Sequence, residues 1–374
     1  MPSSGQAAGR TQHVALHAAI GKILEDQERK LQRRGFRLGE EAELYAKMPP
    51  MPRLLMIKTT SLGDVIHNLP VITDIHAHLP DAQIDWVVEE SFADIPRLHP
   101  GVNRVITVAI RRWRKHLLQA DTWREIRGLR QALQQNRYDH IIDTQGLFKS
   151  AILGAQAQGI YHGQNAASAR EPLAAMFYQR RHAVARGQHA VTRNRLLAAQ
   201  ALGYHLNSLA PDYGIQAGPA ATALALPARY IAALHATSRD SKLWPEQHWI
   251  TLGQALQPQG LAMVLPWGNA SEQARAQRIA SAVPNSLVLP RLSLNDLAAV
   301  LGQAQAAIGV DTGLVHLAAA LDLPTVAIYT DTDPSLTGVL AHDSSKAINL
   351  GNKGEIPAVA NVLAALNSVS QPQA

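Results

Sequence analysis

The sequence predicts an α/β protein of two lobes, each built on a parallel sheet, with a cleft between them. Three observations predict this. From residue 51 onward, short apolar runs that read as buried strands alternate with helix-compatible segments. Such alternation gives parallel sheets covered on both faces. It is interrupted once, at residues 218–228, which carry no charge and two prolines and read as a linker. The length, 374 residues, suits two domains of roughly 100–200 residues each.

Residues 1–50 read apart from the rest. Ile20–Leu38 is a charged, helix-compatible stretch, and Pro49-Pro50 interrupts any helix that would run on. This segment reads as an N-terminal extension or as sequence upstream of a start at Met51, the second being preferred. In the first lobe, expected over 51–217, Leu54–Ile57 reads as a strand, Lys58–Asp64 as a loop and Val65–His78 as one helix. Ile84–Val88, Val105–Val108 and His140–Asp143 follow as strands. The last leads through Thr144-Gln145-Gly146 into a helix from Leu147. The second lobe is expected over 229–345. Its strands are Tyr230–His235, Leu261–Leu265, Ser286–Leu289, Ala306–Val310 and Thr325–Tyr329. Its helices are Pro245–Leu256, Ser271–Ala282, Leu294–Ala304 and Leu314–Leu321. Residues 346–374 read as a tail whose helix, Ile356–Leu366, returns to the first lobe.

Composition narrows the function. Apolar residues make up 47% and charged residues 17%, enough apolar material for two cores. The absence of cysteine excludes disulfides, thiolate metal sites and a cysteine nucleophile. No apolar run reaches the roughly 18 residues that suggest a membrane span. The N-terminus lacks the layout of a signal peptide, so the expected address is the cytoplasm. Charge is uneven. Residues 101–200 hold 16 Lys and Arg against 5 Asp and Glu, whereas 229–345 hold 6 against 9. A positive block of this kind attracts an anionic partner: nucleic acid, a membrane surface or a phosphorylated substrate. Solvated helix faces account for most of these arginines.

The chemistry-bearing residues fall in loops between strands and helices. Lys58-Thr59-Thr60-Ser61-Leu62-Gly63-Asp64 has the small residues and glycine of a phosphate or catalytic loop but not the spacing of a Walker A motif. Asp64 stands at a helix N-terminus, where capping alone would also explain it. Asp311-Thr312-Gly313 can offer backbone N–H groups to a diphosphate, with no Cβ on Gly313 to obstruct it, and His316 lies about a turn further on. A capped turn with His316 in the core is an equal reading of that tripeptide. Thr237, Ser238 and Lys242 open on the same sheet edge and suit phosphate oxygens. Glu272, after Trp267-Gly268, can accept from a ribose diol. Asp331-Thr332-Asp333 has the D-x-D spacing of a metal site but is followed by Pro334. His76 and His78 point apart on a helix. Arg111-Arg112-Trp113-Arg114-Lys115 could bind phosphates or sugar carboxylates. No nucleic-acid-binding signature accompanies the cluster, so nucleic acid is the lesser reading.

Together these stretches resemble glycosyltransferase family 9, the heptosyltransferases. The resemblance covers about residues 51–345. It is carried by Lys58–His67, Trp86–Glu90, Ala109–Lys115, Asp143–Ser150, Arg170–Ala174, His235–Trp249, Leu265–Gly268 and Asp311–Leu317. The arginine cluster and Arg170–Ala174 resemble the members that add the first heptose rather than the second. Residues 1–50 have no counterpart, Thr330-Asp331 replaces a Gly-Pro, and residues 346–374 match poorly.

The resemblance implies the GT-B fold: two Rossmann-like lobes, acceptor on the first and nucleotide sugar on the second. It implies inverting transfer of L-glycero-D-manno-heptose from ADP-heptose to Kdo of Kdo₂-lipid A, with no metal and no cofactor. Asp64 would be the catalytic base. Thr237, Ser238, Lys242, Thr312 and Gly313 would hold the diphosphate, with Asp311 and His316 beside it and Glu272 on the ribose. Lys58, Arg111, Arg112, Arg114, Lys115 and Arg170 would face the anionic acceptor. The expected location is peripheral, on the anionic cytoplasmic face of the inner membrane. Addition of the second heptose, nucleic-acid binding and non-catalytic nucleotide binding are the alternatives.

Overall fold

Two parallel sheets organise the computed structural model, which describes residues 51–208, 210–219 and 223–370. The expectation for residues 1–50 lies outside the described residues, as do 220–222 of the linker and 371–374 of the tail.

The first sheet contains β1 (Arg53–Ile57), β2 (Gln83–Glu89), β3 (Val102–Val108), β4 (Arg137–Asp143), β5 (Gln158–Gln164) and β6 (Arg180–His182). Its strand order is β3-β2-β1-β4-β5-β6. The helices of five or more residues that connect and flank these strands are α1 (Leu62–Ile66), α2 (Leu69–His78), α3 (Ala120–Gln134), α4 (Phe148–Gly154) and α5 (Ala190–Leu202). The second sheet contains β7 (Tyr230–Leu234), β8 (Ala262–Leu265), β9 (Leu287–Val288), β10 (Ala306–Val310), β11 (Thr325–Ile328) and β12 (Ala347–Leu350). Its order is β12-β11-β10-β7-β8-β9. Its helices are α6 (Glu246–Leu256), α7 (Ala270–Ala282), α8 (Leu294–Gln303), α9 (Gly313–Ala320) and α10 (Val359–Ser370).

The two sheets are wound alike. In each, the chain builds outward from a central strand, then returns to the other side of it and builds outward again. The reversal falls between β1 and β4 in one sheet and between β7 and β10 in the other. Open α/β sheets bind ligands beyond the carboxyl ends of the strands at this reversal. The sites are therefore expected in the loops after β1, β4, β7 and β10.

Both faces of each sheet are covered, as the continuous apolar strands require. Along β1, Leu54 and Met56 enter one core while Leu55 and Ile57 enter another. The second of these cores packs α3, α4 and the turn Pro172–Phe177 on one face of the first sheet. The core on the opposite face continues into the second lobe through Leu234, Ala307, Val315 and Leu317. Helix α1 packs on α9 across this boundary.

Two expectations need correction. Val65–His78 is two helices, because Pro70 sits at the start of α2, where its missing N–H breaks no helical bond. The C-terminal helix does not return to the first lobe. Val362, Ala365, Leu366 and Val369 of α10 enter the core beneath β7, β10 and β11. Trp244, on the same lobe, donates its indole N–H to the Pro357 carbonyl just before α10, at 2.8 Å.

Candidate active site

The loops after β1, β4, β7 and β10 line one cleft of about 860 Å³. Its first-lobe wall includes Lys58, Asp64, Arg111, Gln145 and Arg170. Its second-lobe wall includes Thr237, Ser238, Lys242, Asp311, Thr312, Gly313 and His316.

Asp64 caps its helix and lines the cleft. It is the third residue of α1, and its Oδ2 accepts from the Ser61 N–H at 2.9 Å and from Ser61 Oγ at 3.2 Å. This capping holds the carboxylate in place while it stays partly open to the cleft. Arg170 Nη1 stands 3.9 Å from the same oxygen. The capping reading and the cleft reading of Asp64 thus hold together.

The loop that carries Asp64 is braced from β4. Gln145 Oε1 accepts from the N–H groups of Thr59 and Thr60 at 3.0 and 3.1 Å. Gln145 is itself held by Asp143, a fully buried carboxylate. Asp143 Oδ1 accepts from the N–H groups of Gln145 and Gly146 at 2.8 and 3.1 Å. Its Oδ2 accepts from Ser150 Oγ at 2.8 Å and from the Tyr178 hydroxyl at 2.9 Å. Burial raises the Asp143 pKa, although these hydrogen bonds oppose the rise. Lys58 is buried too, and its Nζ donates to the Thr144 carbonyl at 2.9 Å and to Asn194 Oδ1 at 3.4 Å. Burial lowers its pKa, against the pull of Asp64 and Asp143. Lys58 therefore braces the loop from beneath as well as lining the cleft.

On the second lobe, Lys242 Nζ and Asp311 Oδ2 form an ion pair at 2.6 Å. The Thr237 hydroxyl donates to the Asp311 carbonyl at 2.8 Å. Thr312 is the N-cap of α9, with no side-chain cap bond. No side chain therefore caps the first N–H groups of α9, and Thr312 and Gly313 line the cleft. A Cβ on Gly313 would lie 2.5 Å from Leu62 Cγ on the opposite lobe. The glycine is thus required by the approach of the lobes, a neighbour that its position in the sequence does not reveal. His316 is buried, which lowers its pKa to about 4.

Four expected residues stand elsewhere. Arg112 makes ion pairs of 2.9 Å with both Glu90 and Glu125, and Trp113 Nε1 donates to Glu125 at 2.6 Å. Arg112 is engaged within its own lobe. Arg114 and Lys115 border a neighbouring hollow of about 570 Å³, which meets the cleft at Arg111. The Arg111 guanidinium lies over the Phe92 ring, 5.1 Å from its centroid. Glu272 does not line the cleft. Its oxygens accept from the Gly268 N–H and from Asn269 Nδ2, both at 2.7 Å, at the start of α7.

The D-x-D stretch is locally occupied. Asp331 accepts from Ser241 Oγ at 2.7 Å, and Asp333 accepts from the Ser335 N–H at 2.8 Å. His76 Nε2 donates to the Gly101 carbonyl and His78 Nδ1 to the Asp74 carbonyl, both at 2.8 Å. Gln164, His67, Arg193 and Asn194 also line the cleft. None of these four stands out individually in the sequence. Arg193 and Asn194 come from α5, whose mixed polar and apolar residues carry no motif.

Comparison with known proteins follows the same lines. Glycosyltransferase family 9 (heptosyltransferase) matches residues 126–362. The chain is 50% identical over 287 residues to lipopolysaccharide heptosyltransferase 1 of Pseudomonas aeruginosa, covering 76% of this chain and 81% of that one. Its structure superposes on E. coli heptosyltransferase WaaC with ADP at a TM-score of 0.78, with 44% identity over 84% of this chain and 99% of that one. With WaaC bound to ADP-2-deoxy-2-fluoro heptose the TM-score is 0.76 and the identity 42%, at the same coverage.

Proposed function

Since the chain belongs to glycosyltransferase family 9 and transfers heptose in lipopolysaccharide core assembly, we propose that it moves L-glycero-D-manno-heptose from ADP-heptose to the first Kdo of Kdo₂-lipid A, with inversion. One observation carries the reading: a single cleft sets Asp64 on one wall opposite Lys242, Thr312 and Gly313 on the other.

In this reading the acceptor hydroxyl oxygen attacks the anomeric carbon as the bond from that carbon to the diphosphate oxygen breaks. The bonding pair leaves with ADP, and the hydroxyl proton passes to Asp64. Lys242 and the first N–H groups of α9 take up the charge that develops on the diphosphate, the role a metal fills elsewhere. Glu272 must give up its capping bonds to reach a ribose. Arg111 and Arg170 stand nearest the acceptor, with Arg114 and Lys115 further out along the same rim.

The acceptor is a lipid, and the reading includes peripheral attachment to the cytoplasmic face of the inner membrane. None of the helices among the described residues is long and apolar enough to cross a membrane. Support comes from the outer side of the elements that cover one face of the first sheet. Leu117, Leu118 and Trp123 are exposed there beside Arg114 and Lys115. Phe148 and Ile152 on α4, and Leu173 and Met176 on the adjoining turn that follows Arg170, are exposed too. Apolar anchors among cations suit an anionic bilayer surface.

The test is a transfer assay with ADP-heptose, comparing Kdo₂-lipid A with its mono-heptosylated product, with and without EDTA. Transfer to Kdo₂-lipid A in EDTA is expected. Transfer to the mono-heptosylated lipid alone would assign the second heptose instead. Loss in EDTA with rescue by Mg²⁺ would bring Asp331 and Asp333 into the reaction. ADP binding without transfer to either lipid would mark a non-catalytic nucleotide-binding protein.

A further inference from the structure

Two buried imidazoles meet across the lobe boundary. His67 follows α1 on the first lobe, and His316 sits on α9 of the second. His67 Nε2 lies 3.1 Å from His316 Nδ1, with the rings edge to face. Burial lowers the pKa of both, and their mutual repulsion adds to the effect at His67. Both rings are therefore neutral near pH 7, and one proton lies between the two nitrogens.

The side on which that proton sits decides what His316 shows to the cleft. If it sits on His316 Nδ1, His316 Nε2 is a bare lone pair, and the proton of His67 must be on its Nδ1. That nitrogen is buried and has no hydrogen-bond partner. An orphaned N–H is avoided in folded proteins more strongly than an under-used acceptor. If the proton sits on His67 Nε2, the buried Nδ1 is only a lone pair, and His316 carries its own proton on Nε2. Because His316 lines the cleft and its Nδ1 is turned to His67, Nε2 is the nitrogen left for a ligand. A diphosphate beside Thr312 and Gly313 would accept from an N–H there and be repelled by a lone pair.

A third imidazole shows the same economy. His189 Nδ1 accepts from the Val191 N–H at 3.2 Å, so its proton is on Nε2, which donates to the Gly338 carbonyl of the second lobe at 2.9 Å. Its ring lies 5.6 Å from that of His67.

We propose that His67 is a positioning residue of the donor site: its Nε2–H, supplied from the opposite lobe, holds His316 in the tautomer whose Nε2–H faces the departing diphosphate. The donor site is then complete only when the lobes meet. The inference rests on the ADP-heptose reading of the cleft.

Two variants test it. His67→Gln keeps an N–H donor for His316 Nδ1, and His67→Leu removes it. The first readout is the long-range ¹H–¹⁵N correlation of His316 in ¹⁵N-histidine-labelled enzyme saturated with ADP. The wild type and His67→Gln are expected to show Nδ1 bare and Nε2 protonated. His67→Leu is expected to show a mixed or reversed pattern. The second readout is kinetics with ADP-heptose. His67→Leu should lose about 10- to 100-fold in kcat, by analogy with the loss of a partner that orients a metal-bound histidine, with a small change in acceptor KM. His67→Gln should recover most of the loss at an unchanged melting temperature. Nδ1 protonated in the wild type with ADP, wild-type kcat in His67→Leu, or His67→Gln no better than His67→Leu would each overturn the proposal. Wild-type enzyme with the expected tautomer but no turnover of ADP-heptose would instead overturn the proposed function, because the spectroscopic readout does not depend on turnover.

Discussion

Gly313→Ala is the most informative single change for the lobe contact. The added Cβ would lie 2.5 Å from Leu62 Cγ and 2.6 Å from both Leu62 Cβ and Cδ2. Carbon atoms rest at about 3.5–4.0 Å, so three atoms overlap by about 1 Å or more. Overpacking of this kind costs about 1–3 kcal/mol. At about 1.4 kcal/mol per factor of ten, that becomes about a 5- to 140-fold loss. The clash crosses the lobe boundary, so parting α1 from α9 relieves it without disturbing either sheet. The loss should therefore fall on kcat/KM for the nucleotide sugar, with a fall of a few degrees in melting temperature because the core that α1 and α9 share is partly opened. Alanine keeps the backbone N–H, so a lost hydrogen bond to the diphosphate is not the cause. The assay is steady-state transfer from ADP-heptose at saturating acceptor, run on Gly313→Ala, Leu62→Ala and the double variant. Leu62→Ala removes two of the three crowded atoms, so the double variant should recover part of the activity that the single glycine change loses. Wild-type kcat/KM in Gly313→Ala, or a double variant no better than that single change, would refute the reasoning.

Three further outcomes are expected. Asp64→Ala should lower turnover by about 10²–10⁴-fold, the usual contribution of a general base, while calorimetry shows ADP-heptose still bound; near-normal turnover would remove Asp64 from the mechanism. Stability should fall in mild acid: burial lowers His99, His182, His235 and His316 to about 4, whereas unfolded histidine titrates near 6.5. The unfolded chain binds more protons between these values, so this contribution is complete above pH 6.5 and is lost as pH falls toward 4. Thermal melts should show that slope, shallower in His235→Leu; equal slopes in the two proteins would contradict it. Binding to anionic vesicles should weaken with salt, and Leu118→Asp with Leu173→Asp should abolish it; salt-insensitive or unchanged binding would exclude that face.

The central architecture was legible because buried parallel strands leave strong signals. The apolar runs at β1, β4, β7 and β10 gave the strands at both reversal points, and with them the loops that line the cleft. The edge strands β3 and β9 were legible too, but β5 and the edge strands β6 and β12 were not. β5 is Gln158-Gly159-Ile160-Tyr161-His162-Gly163-Gln164, β6 is Arg180-Arg181-His182, and β12 is the short Ala347–Leu350. Polar or glycine-rich strands resemble loops, because their place in the sheet comes from the neighbouring strand rather than from their own propensity. The same holds for side chains. Thr237, Lys242 and Asp311 are close to one another because two loops end on adjacent strands. The attachment of Arg112 to Glu90 and Glu125, and of Glu272 to its own helix start, depends on contacts that spacing does not encode. Asp143 appeared only as a strand end and in a matching stretch, although its buried carboxylate sets the turn that braces the loop bearing Asp64.

That brace has a consequence for how the protein is made. The amides of Thr59 and Thr60 are held by a side chain 86 and 85 positions later in the chain. At about 5–20 residues per second, a ribosome takes roughly 4–17 s to add that intervening stretch. For that interval the segment bearing Asp64 has left the ribosome or is leaving it without the carbonyl that fixes its course. The carbonyl that fixes the loop is thus available only once β4 has been made and can join β1, so the loop bearing Asp64 depends on a long-range pairing rather than on its own segment.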